Sequence, residues 1–208
     1  MTLIIGKEES GHLVMGADSA SGTPEEFYVY PKWAKIAHCG PYLVGACGSG
    51  QVIQILHHCV EWPTPPTSED DLCPFLIREV VPEVRRVAQA TGLQPSRGMY
   101  LGDTTVVLIG IHGKLYLMGS DLVVVRSRGL SCIGCGRHAA YPVMEALERA
   151  GIGPVRAQIE MAMEIVSRHV PVVASPFRFL EQSSDQVLAP SPRSGQPAFA
   201  PEPLSGYG

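Results

Sequence analysis

Two apolar runs at the start of the chain constrain its fold more than any other feature. Leu3-Ile4-Ile5-Gly6 is β-branched and apolar, Lys7-Glu8-Glu9-Ser10-Gly11 has turn chemistry, and His12-Leu13-Val14-Met15-Gly16-Ala17 is a returning run. A hairpin of that length brings Asp18 back beside Thr2. A second hairpin follows after a polar loop: Lys35-Ile36-Ala37-His38-Cys39 and Tyr42-Leu43-Val44-Gly45-Ala46 fold about Gly40-Pro41, and Gly48-Ser49-Gly50 closes it. The connection, residues 21–34, holds Phe27, Tyr28, Tyr30 and Trp33 and reads either as an irregular link packed on the domain or as a substrate-side or subunit-contact loop.

Helical spacing takes over at Gln51. Val52, Ile55, Leu56 and Cys59 form one stripe, which ends before Trp62-Pro63-Thr64-Pro65-Pro66. A second helix starts at Ser68 with the acidic group Glu69-Asp70-Asp71, continues through Leu72, Phe75, Leu76, Val80, Val84 and Val87 to Gly92, and should be kinked or divided by Pro82. Residues 104–111, 114–118 and 122–126 read as three strands, with turns at His112-Gly113 and Ser120-Asp121; the continuous apolar content of the first after Thr104-Thr105 is that of a strand covered on both faces. Two helices, 137–150 and 154–169, and an extended segment, 171–180, complete the order. Strands, two helices, strands, two helices, strand is the pattern of two sheets sandwiched between helix pairs.

With 208 residues, 45% of them hydrophobic, and a net charge of −4, the chain can bury one sizeable core. The expected division is a domain at 1–182 and, where Ser, Pro and Gly take over, a disordered tail at 183–208. No basic cluster suits nucleic acid, and no apolar run approaches the roughly 20 residues that span a bilayer. The N-terminus lacks a signal-peptide layout, which makes a cytoplasmic location the default reading. The six cysteines read mainly as reduced, buried thiols. Cys132-x-x-Cys135 has metal spacing without a second ligand pair to complete it, so neither metal nor cofactor is expected.

The chemistry that stands out is at Thr2. Met1 precedes a small residue, a context in which the initiator is trimmed, and a mature Thr2 would carry an α-amine beside its hydroxyl. That amine, with an ordinary pKa of about 7.7–8.0, suits the role of base to a weak hydroxyl nucleophile.

Taken in order, a threonine start, Gly16-Ala17-Asp18-Ser19, a lysine leading an apolar strand, Pro41-Tyr42-Leu43-Val44-Gly45 and Gly48-Ser49-Gly50 before a helix resemble the N-terminal half of a proteasome β-subunit, of the HslV peptidase and of small proteasome-like proteins of bacteria and phages. Ile133-Gly134-Cys135-Gly136 resembles the family's later Gly-Ser-Gly, so the similarity spans residues 2–180. The resemblance implies the α+β, four-layer αββα fold of N-terminal-nucleophile (Ntn) hydrolases and a threonine-type peptidase acting on polypeptides within a homo-oligomeric ring. It also implies roles: Thr2 as nucleophile, Lys35 and Asp18 as its charged partners, backbone N–H groups of Gly48 or Ser49 as oxyanion donors, and Ser19, Cys135 and Gly136 in support. Lys32 is the rival to Lys35, but only Lys35 leads directly into the matching strand.

This chain departs from the family pattern in three ways. Cys135 stands where the family has serine, Arg168-His169 and Val172 stand where it has an Arg-Asp pair and a serine, and the segment between Asp18 and Lys35 is one residue longer. Two further readings follow: a catalytically weak or inactive subunit acting in assembly or binding, and a metal- or redox-responsive binding protein using Cys132, Cys135 and nearby histidines. Trp33 and Trp62 are the candidate aromatic contacts for self-association, and read equally well as caps on the domain's own sheets.

Overall fold

The computed structural model describes residues 2–22, 27–29, 34–93 and 98–184, without the side chains of Phe27 and Glu69. Strands β1 (Leu3–Glu9) and β2 (His12–Ala17) form the first hairpin, with Ile4 opposite Ala17. Ser10 and Gly11 turn it, both with positive φ. The second hairpin is β5 (Ile36–Cys39) and β6 (Tyr42–Cys47), with Ile36 opposite Gly45.

Part of the connection between the hairpins is regular. Strands β3 (Ala20–Gly22) and β4 (Phe27–Val29) pair as a small hairpin of their own, in place of the irregular link read from composition. Tyr30, Lys32 and Trp33 lie outside the described residues.

The two main sheets are antiparallel. One is ordered β10-β1-β2-β11, where β10 is Leu130–Gly134 and β11 is Arg178–Ser183. The other is ordered β5-β6-β7-β8-β9, where β7 is Val106–Ile111, β8 Lys114–Met118 and β9 Val124–Arg126. Strand β10 is absent from the sequence reading, and so is its consequence, that β1 is an inner strand with Leu3 paired to Gly134. The last strand also runs past the Gln182 boundary: Ser183 pairs with His12, and the Ser184 N–H donates to the Gly11 carbonyl at 2.8 Å. The rest of the expected tail lies outside the described residues.

Alternation along β1 shows how the layers stack. Leu3 and Ile5 join a core with Met144, Ile159 and Met163 of helices α4 (Arg137–Arg149) and α5 (Val155–His169). Ile4, between them, packs with Leu43, Leu108 and Leu115 of the other sheet. The far face of that sheet, with Val44, Val107 and Ile109, packs on α1 (Gly50–His58), α2 (Leu72–Phe75) and α3 (Val81–Ala90). Helices, sheet, sheet, helices is the four-layer αββα sandwich.

The division in the second helix falls ahead of Pro82. A π-helical stretch, Leu76–Val80, joins α2 to α3. Pro82 then stands in the first turn of α3, where its missing N–H breaks no bond that α3 needs. Trp62 belongs to this layer too: its ring lies 4.9 Å from that of Tyr42, and its indole N–H donates to the Leu56 carbonyl at 3.1 Å. The Trp62 corner therefore caps the domain's own core. Among the described residues, no helix is long and apolar enough to cross a membrane.

Candidate active site

Five chain ends converge at one end of the sandwich. Antiparallel pairing starts β1 where β2 and β10 stop, and starts β5 where β6 stops. Thr2, Asp18, Lys35, Gly48 and Cys135 are the residues immediately beyond those ends. Local hairpin geometry thus delivers residues distant in sequence to one place.

Asp18 is the hub. Its side chain is fully buried, and Oδ1 accepts from Lys35 Nζ at 2.7 Å and from the Leu3 N–H at 2.7 Å. Oδ2 accepts from the Ala20 N–H at 3.0 Å, and the Asp18 N–H donates back to the Leu3 carbonyl at 3.1 Å. One carboxylate therefore fixes the lysine and the backbone directly after Thr2. Burial pulls the Lys35 pKa below the usual lysine value, because a charged ammonium is disfavoured away from water; the Asp18 charge and hydrogen bond oppose that pull. Negative charge on Cys135 or Cys47 would oppose it as well, more weakly.

Thr2 is buried and held from the β10 side. Its N–H donates to Cys135 Sγ at 3.4 Å, the Cys135 thiol donates to the Thr2 carbonyl at 3.3 Å, and the Gly136 N–H reaches that carbonyl at 3.4 Å. With Met1 attached, the Thr2 nitrogen is an amide; removal of Met1 would make the same atom an amine facing the same sulfur. Gly134 makes this approach possible. Its φ is +90°, and a Cβ there would lie 2.1 Å from the Thr2 carbonyl oxygen, so no side chain fits.

A cavity of about 600 Å³ opens beside Thr2, lined also by Cys47, Gly48, Thr104, Val106, Leu117, Cys132, Ile133, Gly134, Cys135 and Arg137. Gly48 meets Thr2 on this wall. It too requires glycine, with φ +108° and a Cβ position 2.8 Å from Thr105 Cα. Ser49 caps α1 from an exposed position and does not line the cavity.

The supporting residues divide. Gly136 caps α4 against Thr2, whereas Ser19 is engaged with the 174–176 segment: its hydroxyl donates to the Pro176 carbonyl at 2.5 Å and its N–H to the Ala174 carbonyl at 3.0 Å. Arg168 and His169 end α5 in exposed positions, and Val172 follows half-buried. Cys39, Cys47 and Cys132 are buried, with burial raising the Cys132 thiol to about 12, but Cys59 and Cys135 are exposed, against the reading of mainly buried thiols. Among the described residues, no group of three or more His, Cys, Asp or Glu side chains is placed to hold a metal. Cys47, Thr104, Leu117 and Arg137 were not singled out as site residues; the Leu130-Ser131-Cys132-Ile133 alternation that marks β10 was the available signal for this wall.

No protein-family model and no curated protein sequence matches the chain. Solved structures do. BPH of Thiobacillus denitrificans superposes with a TM-score of 0.68 at 16% identity, covering 89% of this chain and 100% of that one. Its complex with epoxomicin gives 0.66 at 15%, covering 87% and 98%. The eukaryotic HslV of Trypanosoma brucei gives 0.62 at 14%, covering 87% and 99%. The chain has the proteasome-type Ntn-hydrolase fold. In this proteasome-type fold, Thr2 stands at the open end of the sandwich, in wall contact with a cavity and one residue from the Asp18–Lys35 pair.

Proposed function

We propose that the chain is an N-terminal threonine hydrolase: a proteasome-like, threonine-type peptidase that cleaves amide bonds of polypeptides or peptides once Met1 is removed. The observation that carries this reading is the buried Asp18 carboxylate, which bonds Lys35 Nζ and the Leu3 N–H through one oxygen. A structural ion pair could sit anywhere in the core. This one is tied to the backbone next to the only residue that could offer a hydroxyl and an α-amine together.

In the proposed reaction the Thr2 hydroxyl oxygen attacks the scissile carbonyl while the α-amine, directly or through water, takes its proton. The ammonium of Lys35 stabilises the developing alkoxide, and Asp18 keeps Lys35 charged and aimed. A backbone N–H at Gly48 or Ser49 receives the oxyanion; losing such a donor costs about 3–4 kcal/mol. The proton passes to the leaving amine, which departs to leave a threonine ester, and water hydrolyses that ester to regenerate Thr2.

The second reading, a weak or inactive subunit of the same fold, is favoured by a thiol in place of a hydroxyl at Cys135 and by the Ser19 hydroxyl being engaged with Pro176. We further propose cytoplasmic homo-oligomers, since an open peptidase centre needs sequestration. Val125 in edge strand β9 and Val123 just before it, 50% and 57% exposed, support a contact surface there.

Hydrolysis of unfolded casein and of fluorogenic peptides by Met1-free protein tests the reading. Activity should be lost in Thr2→Ala and fall by roughly 10²–10⁴-fold in Lys35→Ala. Activity surviving Thr2→Ala would refute the assignment. No activity from Met1-free oligomers, alongside light scattering that shows stable assembly, would establish the second reading.

A further inference from the structure

The cavity beside Thr2 is walled mainly by apolar side chains, among them Val106, Leu117 and Ile133, and among the described residues Arg137 is the only charged one on its lining. Arg137 opens α4 from an exposed position, so it stands where the cavity meets solvent. Its Nη1 donates to the Gly134 carbonyl at 3.0 Å, which anchors one edge of the guanidinium beside Thr2 and leaves the other donors without a protein acceptor among the described residues. Among those residues no carboxylate pairs with it. Its charge also reaches across the cavity to Cys47 of the opposite sheet, where it lowers a thiol pKa that burial raises. Guanidinium forks bind carboxylates in two-point fashion, and they bind them more strongly where apolar walls exclude water.

We propose that Arg137 is a specificity-determining residue that binds a substrate carboxylate carried into this cavity on a short apolar stem. The proposal rests on the hydrolase reading for what the bound molecule then undergoes, but not for the binding itself. The carboxylate has two possible sources, an acidic side chain and a free chain terminus, with the same chemistry at the guanidinium.

The test is calorimetric titration of full-length Thr2→Ala protein, which binds without turnover. Three probes are compared: acetyl-Ala-Ala-Glu-amide, acetyl-Ala-Ala-Ala with a free carboxylate, and acetyl-Ala-Ala-Gln-amide as the neutral reference. At least one acid should bind about tenfold or more tightly than the neutral peptide, a difference of about 1.4 kcal/mol. A winning first probe identifies a side-chain carboxylate, and a winning second a terminus; either supports the proposal. Arg137→Gln, added to the same protein, should erase the preference, and Arg137→Lys should keep part of it. Equal binding of all three probes, no binding of any, or a preference that survives Arg137→Gln would overturn it. Unchanged thermal melting of the arginine variants would exclude misfolding as the cause. Parallel hydrolysis assays on wild type separate the two proposals. Carboxylate preference with no hydrolysis sinks the hydrolase reading alone, and hydrolysis with no preference sinks the pocket alone.

Discussion

Asp18→Asn tests the hub of the site with almost no change in shape. In the native chain the carboxylate takes three donors, Lys35 Nζ, the Leu3 N–H and the Ala20 N–H. Asparagine keeps one carbonyl oxygen for these but presents an NH₂ to the remaining donor, and it removes the negative charge from a lysine whose side chain is 1% exposed. Breaking one side of a buried pair typically costs about 3–5 kcal/mol. For a chain of this size that corresponds to a drop in Tm of roughly 6–20 °C.

The loss should also depend on pH, with a sign fixed by Lys35. Burial already lowers its folded-state pKa, and Asp18 is what opposes that fall, so in Asp18→Asn the folded pKa drops further while the unfolded value stays ordinary. The folded state then binds fewer protons than the unfolded state, and the variant regains stability as pH rises toward the ordinary lysine value of about 10.4. Chemical denaturation at pH 6, 7.5 and 9 reads both effects. A destabilisation below about 1 kcal/mol, flat across that range, would refute the claim that Asp18 compensates a buried charge.

Two further outcomes follow from local geometry. Gly134→Ala forces a Cβ to within 2.1 Å of the Thr2 carbonyl at φ +90°, so it should lower stability by at least the roughly 1–3 kcal/mol of backbone strain and displace Thr2. Gly40→Ala, with φ +58° and open space around it, should show strain alone, and equal effects on Thr2 reactivity in the two variants would contradict the contact. His57 has a buried Nε2 without a hydrogen-bond partner among the described residues, and burial, with the neighbouring His58 charge adding, lowers its pKa to about 4. Its folded pKa lies below the ordinary value, so stability present at neutral pH is lost as pH falls from about 6.5 toward 4, by up to about 3 kcal/mol. In His57→Gln that part of the acid-induced loss should vanish in pH-resolved melting, and an identical acid limb in variant and wild type would rule it out.

Much of the site was legible because it rests on hairpins. Turn chemistry between two extended runs places Asp18 beside Thr2 without any tertiary information, although Lys7, Glu8 and Glu9, read as part of the turn, extend β1 and leave the turn to Ser10 and Gly11; the second hairpin does the same for Lys35 and Gly48. The β10 wall was not legible in that way. Leu130–Gly134 is short, follows the bend at Gly129, and becomes a strand because β1 offers it a paired edge. Cys47 and Arg137 share a cavity only because β6, β7, β8 and β10 stack across two sheets, and no local pattern encodes that meeting. Trp62 shows the converse. An aromatic residue in a proline-rich corner reads either as contact surface or as a cap on the domain's own core; its N–H finds the Leu56 carbonyl and its ring finds Tyr42, so it serves the core. Pro82 reads as a kink or division, yet the irregularity lies in the π stretch before it, and the stripe of buried residues continues from Leu76 to Val87.

The measurement that bears most directly on the proposed function is intact-mass spectrometry of the purified chain before and after exposure to an epoxyketone, the class that forms a ring with a terminal amine and its neighbouring hydroxyl. The proposal expects a mass lacking Met1, one adduct per chain mapped to Thr2, none on Thr2→Ala and much less on Lys35→Ala. Retention of Met1, a Met1-free chain that stays unlabelled, or an adduct that persists in Thr2→Ala would contradict it.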